Sequence, residues 1–348
     1  MKGDRGSSDA KAAIMLALLV VLALLALAAC GGSPKSGSTA SSTTPSTAAS
    51  PATTPLAASN PAQVARTESV VRTLMTAWNT AWSASRDRRA LLSLYADDVQ
   101  YYDAAAIDTV ITKSDMDAMN QDPAWWKAFR LTLKSSFVSA DGRFSATLGR
   151  IALRDESGDL PWQPAVSVLA VANDKIVWEC DYYGGEPGKT GQIAPELGIA
   201  RRAVAPGSPT AQTAIAEATA TISKWLSAFN GRNAASFLSF YAGDAKYVDV
   251  VSPRWRVMTK SRLAADVASR FPRSEFASKL EPEPGSPMEA AFFVSAEGRF
   301  AAVQGTYVDE TSGGAPVDQP MLVILELRAG QIVRQYNFIA MDRSLLRP

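Results

Sequence analysis

The second half of this chain repeats its first half, and this duplication limits the folds open to the sequence. Residues 95–103 (YADDVQYYD) recur as residues 241–249 (YAGDAKYVD), with five of nine positions identical. Residues 139–144 (SADGRF) recur as residues 295–300 (SAEGRF). The matches keep their order along the chain, and self-similarity at a long spacing is typical of a repeated architecture. We therefore predict two tandem domains of one fold.

Each repeat shows a helical pattern first and strand patterns afterwards. In repeat one, Val71, Met75 and Trp78 recur at helical spacing. The sequence predicts later strands at 145–154, 165–172 and 175–183, and at 301–309, 321–328 and 331–340 in repeat two. Helices followed by antiparallel strands indicate an α+β fold.

An apolar run precedes both repeats. It extends from Ala12 to Ala29 after a basic start and ends in the sequence LAAC at Cys30. This ending resembles the lipobox of bacterial lipoprotein signal peptides, a family in which cleavage precedes the cysteine. The resemblance implies a fatty-acyl (palmitate) anchor on Cys30 and a location at the extracytoplasmic face of the cell membrane. An uncleaved membrane anchor is the alternative, and it places residues 31–348 on the same side.

The segment after Cys30 has the composition of a flexible tether. Residues 31–61 are Gly, Ala, Ser, Thr or Pro except at Lys35, Leu56 and Asn60, so they cannot bury enough apolar surface to fold. We predict the following organisation: signal peptide 1–29, lipidated cysteine and tether 30–61, repeat one 62–186, linker 187–209, and repeat two 210–348.

Composition excludes several classes of chemistry. The chain has 348 residues, no histidine, two cysteines and a formal net charge of +1. It therefore cannot hold a Ser–His–Asp triad, a Cys–His pair or a histidine metal site. The charge balance argues against nucleic-acid binding. We expect no metal and no cofactor, and we expect Cys180 to be a small buried apolar residue.

The repeated tyrosine–aspartate strand, together with a final strand of the type KIVWECDYY (175–183), resembles the nuclear transport factor 2-like superfamily. The most similar branch is the SnoaL-like, polyketide-cyclase-like group. The resemblance implies two cone-shaped domains, each a curved antiparallel sheet wrapped around helices with an internal pocket. Members include isomerases, dehydratases, cyclases and non-catalytic binding domains, so the fold does not assign a function.

Two aspartates match the general base of the ketosteroid isomerases in this superfamily. Asp103 and Asp249 end the repeated strand, where that family places its base. Each is a candidate base or, alternatively, an acceptor of strand-end hydrogen bonds. Counting along the chain places Trp78 and Trp225 where that family has a helix tyrosine, and an indole donates a hydrogen bond but cannot serve as an acid.

Further side chains are candidates for lining a ligand pocket. Asp181 lies on the last strand in alternation with Glu179, and its counterpart in repeat two is Asn337. A solvated strand residue is the alternative interpretation of Asp181. The full candidate set is Trp78, Trp82, Tyr101, Asp181, Trp225, Tyr247 and Asn337.

Three functions remain open at this point. The first is a non-enzymatic envelope lipoprotein that binds a small apolar or amphipathic ligand or an envelope protein. The second is an isomerase, dehydratase or cyclase in which Asp103 or Asp249 removes a proton. The third is a purely structural module in which the two domains pair through their sheets.

The lipobox resemblance makes a direct prediction. Substituting Cys30→Ser removes the thiol that accepts lipid, so it should abolish lipid attachment and signal cleavage. Metabolic labelling with a fatty-acid analogue measures this. Equal label in the wild type and the variant would rule out the lipoprotein interpretation.

Overall fold

The computed structural model describes residues 59–81, 88–103, 110–121, 129–155, 158–159, 163–183, 204–250, 256–272, 280, 286–288, 290–309 and 317–339. The predicted signal peptide, Cys30, most of the tether and Trp82 lie outside these ranges. None of the helices within them combines the length and the apolar character that crossing a membrane requires.

Repeat one begins with helix α1 (Pro61–Ala81), whose buried side chains recur at helical spacing at Val64, Val71 and Leu74. The Asn60 side chain caps the helix by accepting a hydrogen bond from the Gln63 amide at 3.1 Å. The further described elements are α2 (Arg88–Leu92), β1 (Tyr95–Asp103), α3 (Lys113–Gln121), β2 (Phe129–Val138), β3 (Phe144–Asp155), β4 (Gly158–Asp159), β5 (Gln163–Ala172) and β6 (Lys175–Tyr183).

Repeat two follows the same plan. Its first helix, α4 (Pro209–Asn230), is capped by Ser208, whose hydroxyl accepts from the Ala211 amide at 3.2 Å. The further described elements are α5 (Ala234–Ser239), β7 (Tyr241–Asp249), β8 (Arg256–Thr259), α6 (Lys260–Arg270), β9 (Phe292–Val294), β10 (Phe300–Asp309), β11 (Val317–Arg328) and β12 (Gln331–Ile339).

The two sheets have equivalent strand orders, β1-β6-β5-β3-β2 and β8-β7-β12-β11-β10-β9. In each, the first strand pairs in parallel with the last, whereas the neighbouring strands pair antiparallel. A bridge between Tyr101 and Ile111 in repeat one stands where β8 pairs with β7 in repeat two. The prediction of an α+β fold with two similar sheets is confirmed.

Four of the described strands, β2, β4, β8 and β9, were not predicted from the sequence, and β4 and β8 have only two and four residues. Strand β2 carries a register shift between Leu133 and Ser135, which interrupts the alternation of apolar and polar residues that predicts a strand. Strand β9 has three residues and is too short to show a periodic pattern.

Each sheet has a helix-side face and an outer face. The helix-side faces carry separate cores, built around Val71, Leu74 and Leu169 in repeat one and around Trp225 and Phe237 in repeat two. Each repeat thus buries its own apolar side chains between helices and sheet, as the duplication predicted.

The outer faces of the two sheets share one further core. Phe137 stacks on Phe300 with ring centroids 5.5 Å apart, and Phe144 stacks on Phe293 at 5.8 Å. Cys180 is buried in this shared core, which agrees with its expected role as a small apolar residue. The two repeats therefore pack sheet against sheet.

The repeated SADGRF and SAEGRF turns lie where the repeats meet. Ser139 and Ser295, which are equivalent residues, form an antiparallel bridge. Gly142 and Gly298 adopt φ values of 76° and 73°. A Cβ atom on Gly142 would stand 2.5 Å from the Val64 amide nitrogen, so glycine is required by conformation and by the close approach of α1. These repeated residues are structural.

The residue spacing between equivalent positions of the two repeats differs between the first helices and the first strands. Asn79 in α1 and Asn230 in α4 make the same pair of hydrogen bonds, to Leu133 and to Leu280 respectively. They are 151 residues apart, whereas the first strands are offset by 146. The matching of Trp78 with Trp225, made by counting back from the strand, is therefore wrong by one helical turn, because repeat one has extra residues between its first helix and first strand.

Candidate functional site

A set of buried polar and acidic side chains lies on the helix-side face of repeat one. Parallel pairing of β1 with β6 places Tyr101 beside Glu179, and Asp103 beside Asp181. Antiparallel pairing extends the second pair across the sheet, from Asp181 to Ser167 and from Ser167 to Thr147. We call the residues Asp103, Asp181, Ser167 and Thr147 the polar row.

Asp181 is buried, with 8% of its surface exposed. Its Oδ2 atom accepts hydrogen bonds from the hydroxyls of Tyr101 at 2.8 Å and Tyr183 at 3.1 Å. The interpretation of Asp181 as a solvated strand residue is therefore wrong. The reason is that β6 is an inner strand whose helix-side face is covered, so its charged side chains enter the core of the domain.

Glu179 is buried beside Asp181, with 2% of its surface exposed. Burial and then the charge of Asp181 raise the pKa of Glu179 well above its usual range. Burial also raises the pKa of Asp181, although hydrogen bonds from Ser167, Tyr101 and Tyr183 oppose that rise. Because donors stabilise the charged form, they keep the pKa of Asp181 from rising as far as that of Glu179.

Three neutral tyrosines surround this pair, and the hydroxyls of Tyr101 and Tyr183 donate to it. Burial is the main cause that raises the pKa of Tyr95, Tyr101 and Tyr183, and the neighbouring carboxylates raise these pKa values further. The charge of Asp103 acts on Tyr101 and Tyr183, so this half-buried aspartate lies near the pair. We call Tyr95, Tyr101, Glu179, Asp181 and Tyr183 the acidic cluster.

Several buried polar atoms of this face have no hydrogen-bond partner. Seven such side-chain atoms occur in the part of the chain that the structure describes, and four of them belong to the acidic cluster or the polar row. A buried polar atom without a partner costs about 1–3 kcal/mol, so their concentration on one face indicates a site rather than ordinary core. The four atoms are Tyr95 Oη, Thr147 Oγ1, Glu179 Oε2 and Asp181 Oδ1.

The same positions in repeat two carry neutral amides. Gln335 stands in place of Glu179 and Asn337 in place of Asp181, beside Tyr247 and Asp249 in the same parallel register. Gln335 Nε2 donates to Asn337 Oδ1 at 2.7 Å, and Asn337 Nδ2 donates to the Tyr247 hydroxyl. The polar row is also lost, because Val323 and Val303 replace its serine and threonine.

The hydrogen bonds of repeat two continue without a gap to the first helix. Trp225 Nε1 donates to the Tyr241 hydroxyl at 3.0 Å, and that hydroxyl donates to Gln335 Oε1 at 2.5 Å. We call Trp225, Tyr241, Gln335, Asn337 and Tyr247 the amide chain. The indole of Trp225 is fully buried and packs on Phe229 and Phe237. Trp225 is thus a core residue that completes the amide chain.

Some of the predicted site residues belong to the acidic cluster of repeat one, and others belong to the amide chain of repeat two. Tyr101 and Asp181 meet in repeat one, and Tyr247 and Asn337 meet in repeat two. Trp78 is half-buried, packs on the core beneath the acidic cluster, and lowers the pKa of Tyr95. Asp103 and Asp249 are half-buried at the ends of their strands. Trp82 lies outside the described residues.

The sequence analysis did not select Tyr95, Ser167, Glu179, Tyr183 or Gln335 as site residues. The alternation of Glu179, Asp181 and Tyr183 along β6 was visible in the sequence. The sequence did not show that this face is buried. Burial also draws attention to Ser167, a polar residue in an otherwise apolar strand. In the described ranges, no group of three acidic or cysteine side chains is arranged to hold a metal ion.

Comparisons with known proteins find similarity at the level of single repeats. No protein-family model matches the chain, and no curated protein matches it. A proposed polyketide cyclase from Xanthomonas campestris pv. campestris is 17% identical, and the match covers 38% of this chain and 95% of that one with a TM-score of 0.30. A proposed polyketide cyclase from Pseudomonas putida KT2440 is 21% identical, with coverages of 34% and 89% and a TM-score of 0.28.

A proposed ketosteroid isomerase from Kribbella flavida DSM 17836 is 20% identical, and the match covers 41% of this chain and 93% of that one with a TM-score of 0.28. Each match spans nearly the whole of a protein about one repeat in length. At these identities and scores the similarities carry no assignment of activity to this chain.

The raised pKa of Glu179 predicts how stability depends on pH. Above about pH 4.3, the ordinary glutamate value, the folded chain keeps a proton that the unfolded chain loses. This stabilisation is complete at lower pH and is lost as the pH rises through the raised pKa. Glu179→Gln removes that proton, so its free energy of unfolding should fall less steeply with pH, by at most about 1.4 kcal/mol per pH unit.

Urea titrations of the full-length chain in detergent between about pH 4 and pH 8 measure this slope. Asp98→Asn, which removes an exposed carboxylate from β1, is the matched control and should keep the wild-type slope. Identical slopes for the wild type and Glu179→Gln would show that Glu179 carries no additional proton when folded.

Proposed function

We propose that this protein is a lipid-anchored extracytoplasmic lipoprotein in which repeat one binds a small ligand and repeat two is a structural partner. The lipobox-like ending at Cys30 supports the anchor. The observation that carries ligand binding is the set of partnerless buried polar atoms on one face of repeat one. Such atoms gain hydrogen bonds when a ligand supplies the missing partners.

Binding is assigned to repeat one because the equivalent face of repeat two is closed. Its amide chain connects helix α4, strand β7 and strand β12 through successive hydrogen bonds. Aromatic rings of Phe229, Phe237 and Phe271 pack together beside it, with centroids 5.5–5.9 Å apart. None of the partnerless buried atoms in the described chain belongs to the amide chain, so repeat two offers a ligand no open hydrogen-bonding position there.

The apolar side chains around the acidic cluster indicate an apolar or amphipathic ligand. Met75, Trp78 and Ile151 pack beside Tyr183 on the helix side of the sheet. The polar row and the acidic cluster supply polar groups on the same face of the sheet. A site with an apolar wall and few polar groups is typical of small-molecule binding.

A proton-transfer enzyme is the second candidate function. It is favoured by two buried carboxylates that share a proton beside three neutral tyrosines. Asp103 at the end of β1 would be the base, and Glu179 or Tyr101 would donate to a developing oxyanion. This activity would belong to repeat one alone, because Gln335 and Asn337 cannot exchange protons at neutral pH.

Native mass spectrometry of the full-length protein, extracted from membranes in detergent, tests the ligand proposal. Wild-type protein should carry a small molecule in addition to its lipid. The double variant Glu179→Gln, Asp181→Asn gives repeat one the amides of repeat two, so it should lose that molecule.

Gln335→Glu, a single change at the equivalent position of repeat two, is the matched control and should keep the molecule. A wild-type protein without additional mass, or one whose additional mass survives the double variant, would contradict ligand binding at the acidic cluster.

A further inference from the structure

We infer that the ligand of repeat one is an organic cation with N–H donors, namely a protonated primary or secondary amine attached to an apolar body. This inference rests on the proposed function, because it names the class of ligand for that same site. The juxtaposition that carries it is a pair of buried carboxylates with partnerless oxygens beside half-buried aromatic rings.

The charges of the acidic cluster favour a cationic ligand. Glu179 and Asp181 lie side by side in the core, and the hydroxyls that act on them are the neutral ones of Tyr95, Tyr101, Tyr183 and Ser167. The negative charge of Asp103 acts on the same tyrosines. A buried carboxylate is costly unless a proton or a cation balances it. A cationic ligand supplies what the proton supplies in the free protein.

The partnerless oxygens of the acidic cluster favour a ligand with N–H donors. Glu179 Oε2 and Asp181 Oδ1 have no partner among the described residues, and once the proton of the pair has been released, both carboxylates act purely as acceptors. An ammonium group offers two or three N–H donors, whereas a ligand carboxylate would place acceptors against acceptors. The site therefore discriminates in favour of amines and against acids.

The wall of the site suits the apolar part of an amine. Tyr101, Tyr183 and Trp78 are half-buried, so their rings border the cluster without being sealed in the core. Aromatic rings favour a cation at their faces and an apolar body along their edges. These rings, together with Met75 and Ile151, would hold the apolar part of an amine.

Repeat two provides an internal contrast. Its carboxylates are replaced by Gln335 and Asn337, and the charges of Asp249, Arg270 and Asp266 act on Tyr247, with Arg270 paired to Asp266. In place of the buried carboxylate pair, the described part of that face has two neutral amides whose hydrogen bonds are formed within the protein. An amine should consequently bind one repeat only.

Binding of an amine should release a proton. The free cluster holds one proton between Glu179 and Asp181, and the ammonium ion replaces it, so that protein–H⁺ plus R–NH₃⁺ gives the complex plus one H⁺ to the buffer. The other titratable groups that face the pair are Tyr95, Tyr101, Asp103 and Tyr183. The tyrosines stay neutral throughout, so the released proton comes from the carboxylates.

Isothermal titration calorimetry with phenethylamine and phenethyl alcohol tests this inference on the full-length protein in detergent. The two probes have the same shape, but only the amine is charged. We expect the amine to bind at least tenfold more tightly and to release up to one proton, measured by comparing phosphate and MOPS buffers, neither of which contains a primary or secondary amine. The affinity for the amine should rise with pH, because binding releases a proton and a lower proton concentration favours that release.

Glu179→Gln and Asp181→Asn should each weaken amine binding about tenfold or more. Asp98→Asn, an exposed control on β1, should not change it. Circular dichroism melts confirm that each variant is folded before titration.

Two results would overturn the inference in different ways. Alcohol binding as tight as amine binding would show that the site binds ligands without selecting a cation, which leaves the proposed function standing. Absence of amine binding, or binding that both variants retain, would exclude the acidic cluster as an amine site. The native mass measurement then decides separately whether repeat one binds any ligand.

Discussion

The parallel pairing of the first strand with the last strand is the constraint on which both halves of this protein depend. It joins residues about 80 positions apart in repeat one, so that Tyr101 donates to Asp181 across the pair. In repeat two the same pairing brings Tyr247 to Asn337. Lysine side chains secure both first strands, because Lys113 and Lys260 donate to the carbonyls of Tyr95 and Tyr241.

The duplicated residues and the divergent residues have different roles. Identical positions form the skeleton: the serine and glycine of the turn where the repeats meet, the lysine after the first strand, and the tyrosine that begins it. The repeats differ on the helix-side face, where repeat one has Glu179 and Asp181 and repeat two has Gln335 and Asn337 at the equivalent positions. Repeat one thus has a charged face with partnerless polar atoms, whereas the equivalent face of repeat two is neutral and its amides are hydrogen-bonded.

Much of the fold could be predicted from sequence, because the repeats display their periodicity twice. The matches at 95–103 and 241–249 located the first strands, and the last strands followed from alternation. The shared outer core could not be located, since apolar residues on both faces of a strand do not reveal which face meets another sheet. The helix offset was also hidden, because extra residues before β1 change the spacing without changing any motif.

The site was predictable only in part. Asp103, Asp181 and Tyr101 were selected from strand position, but Glu179 and Ser167 became visible only through burial and cross-strand register. A single sequence shows that Glu179 and Asp181 share a face, yet it does not show whether that face is wet or dry. For two neighbouring carboxylates this difference decides whether they are ordinary surface charges or a proton-sharing pair.

The central claim is that Glu179 and Asp181 share one proton in the folded protein. A carbon-13 NMR titration of side-chain carboxyl carbons tests it most directly, with Glu179 assigned by its absence in Glu179→Gln. We predict that the Glu179 signal titrates well above the ordinary glutamate value of about 4.3, and that the Asp181 signal shifts at the same pH because the two groups are coupled. A Glu179 signal that titrates at the ordinary value, independently of Asp181, would contradict this account.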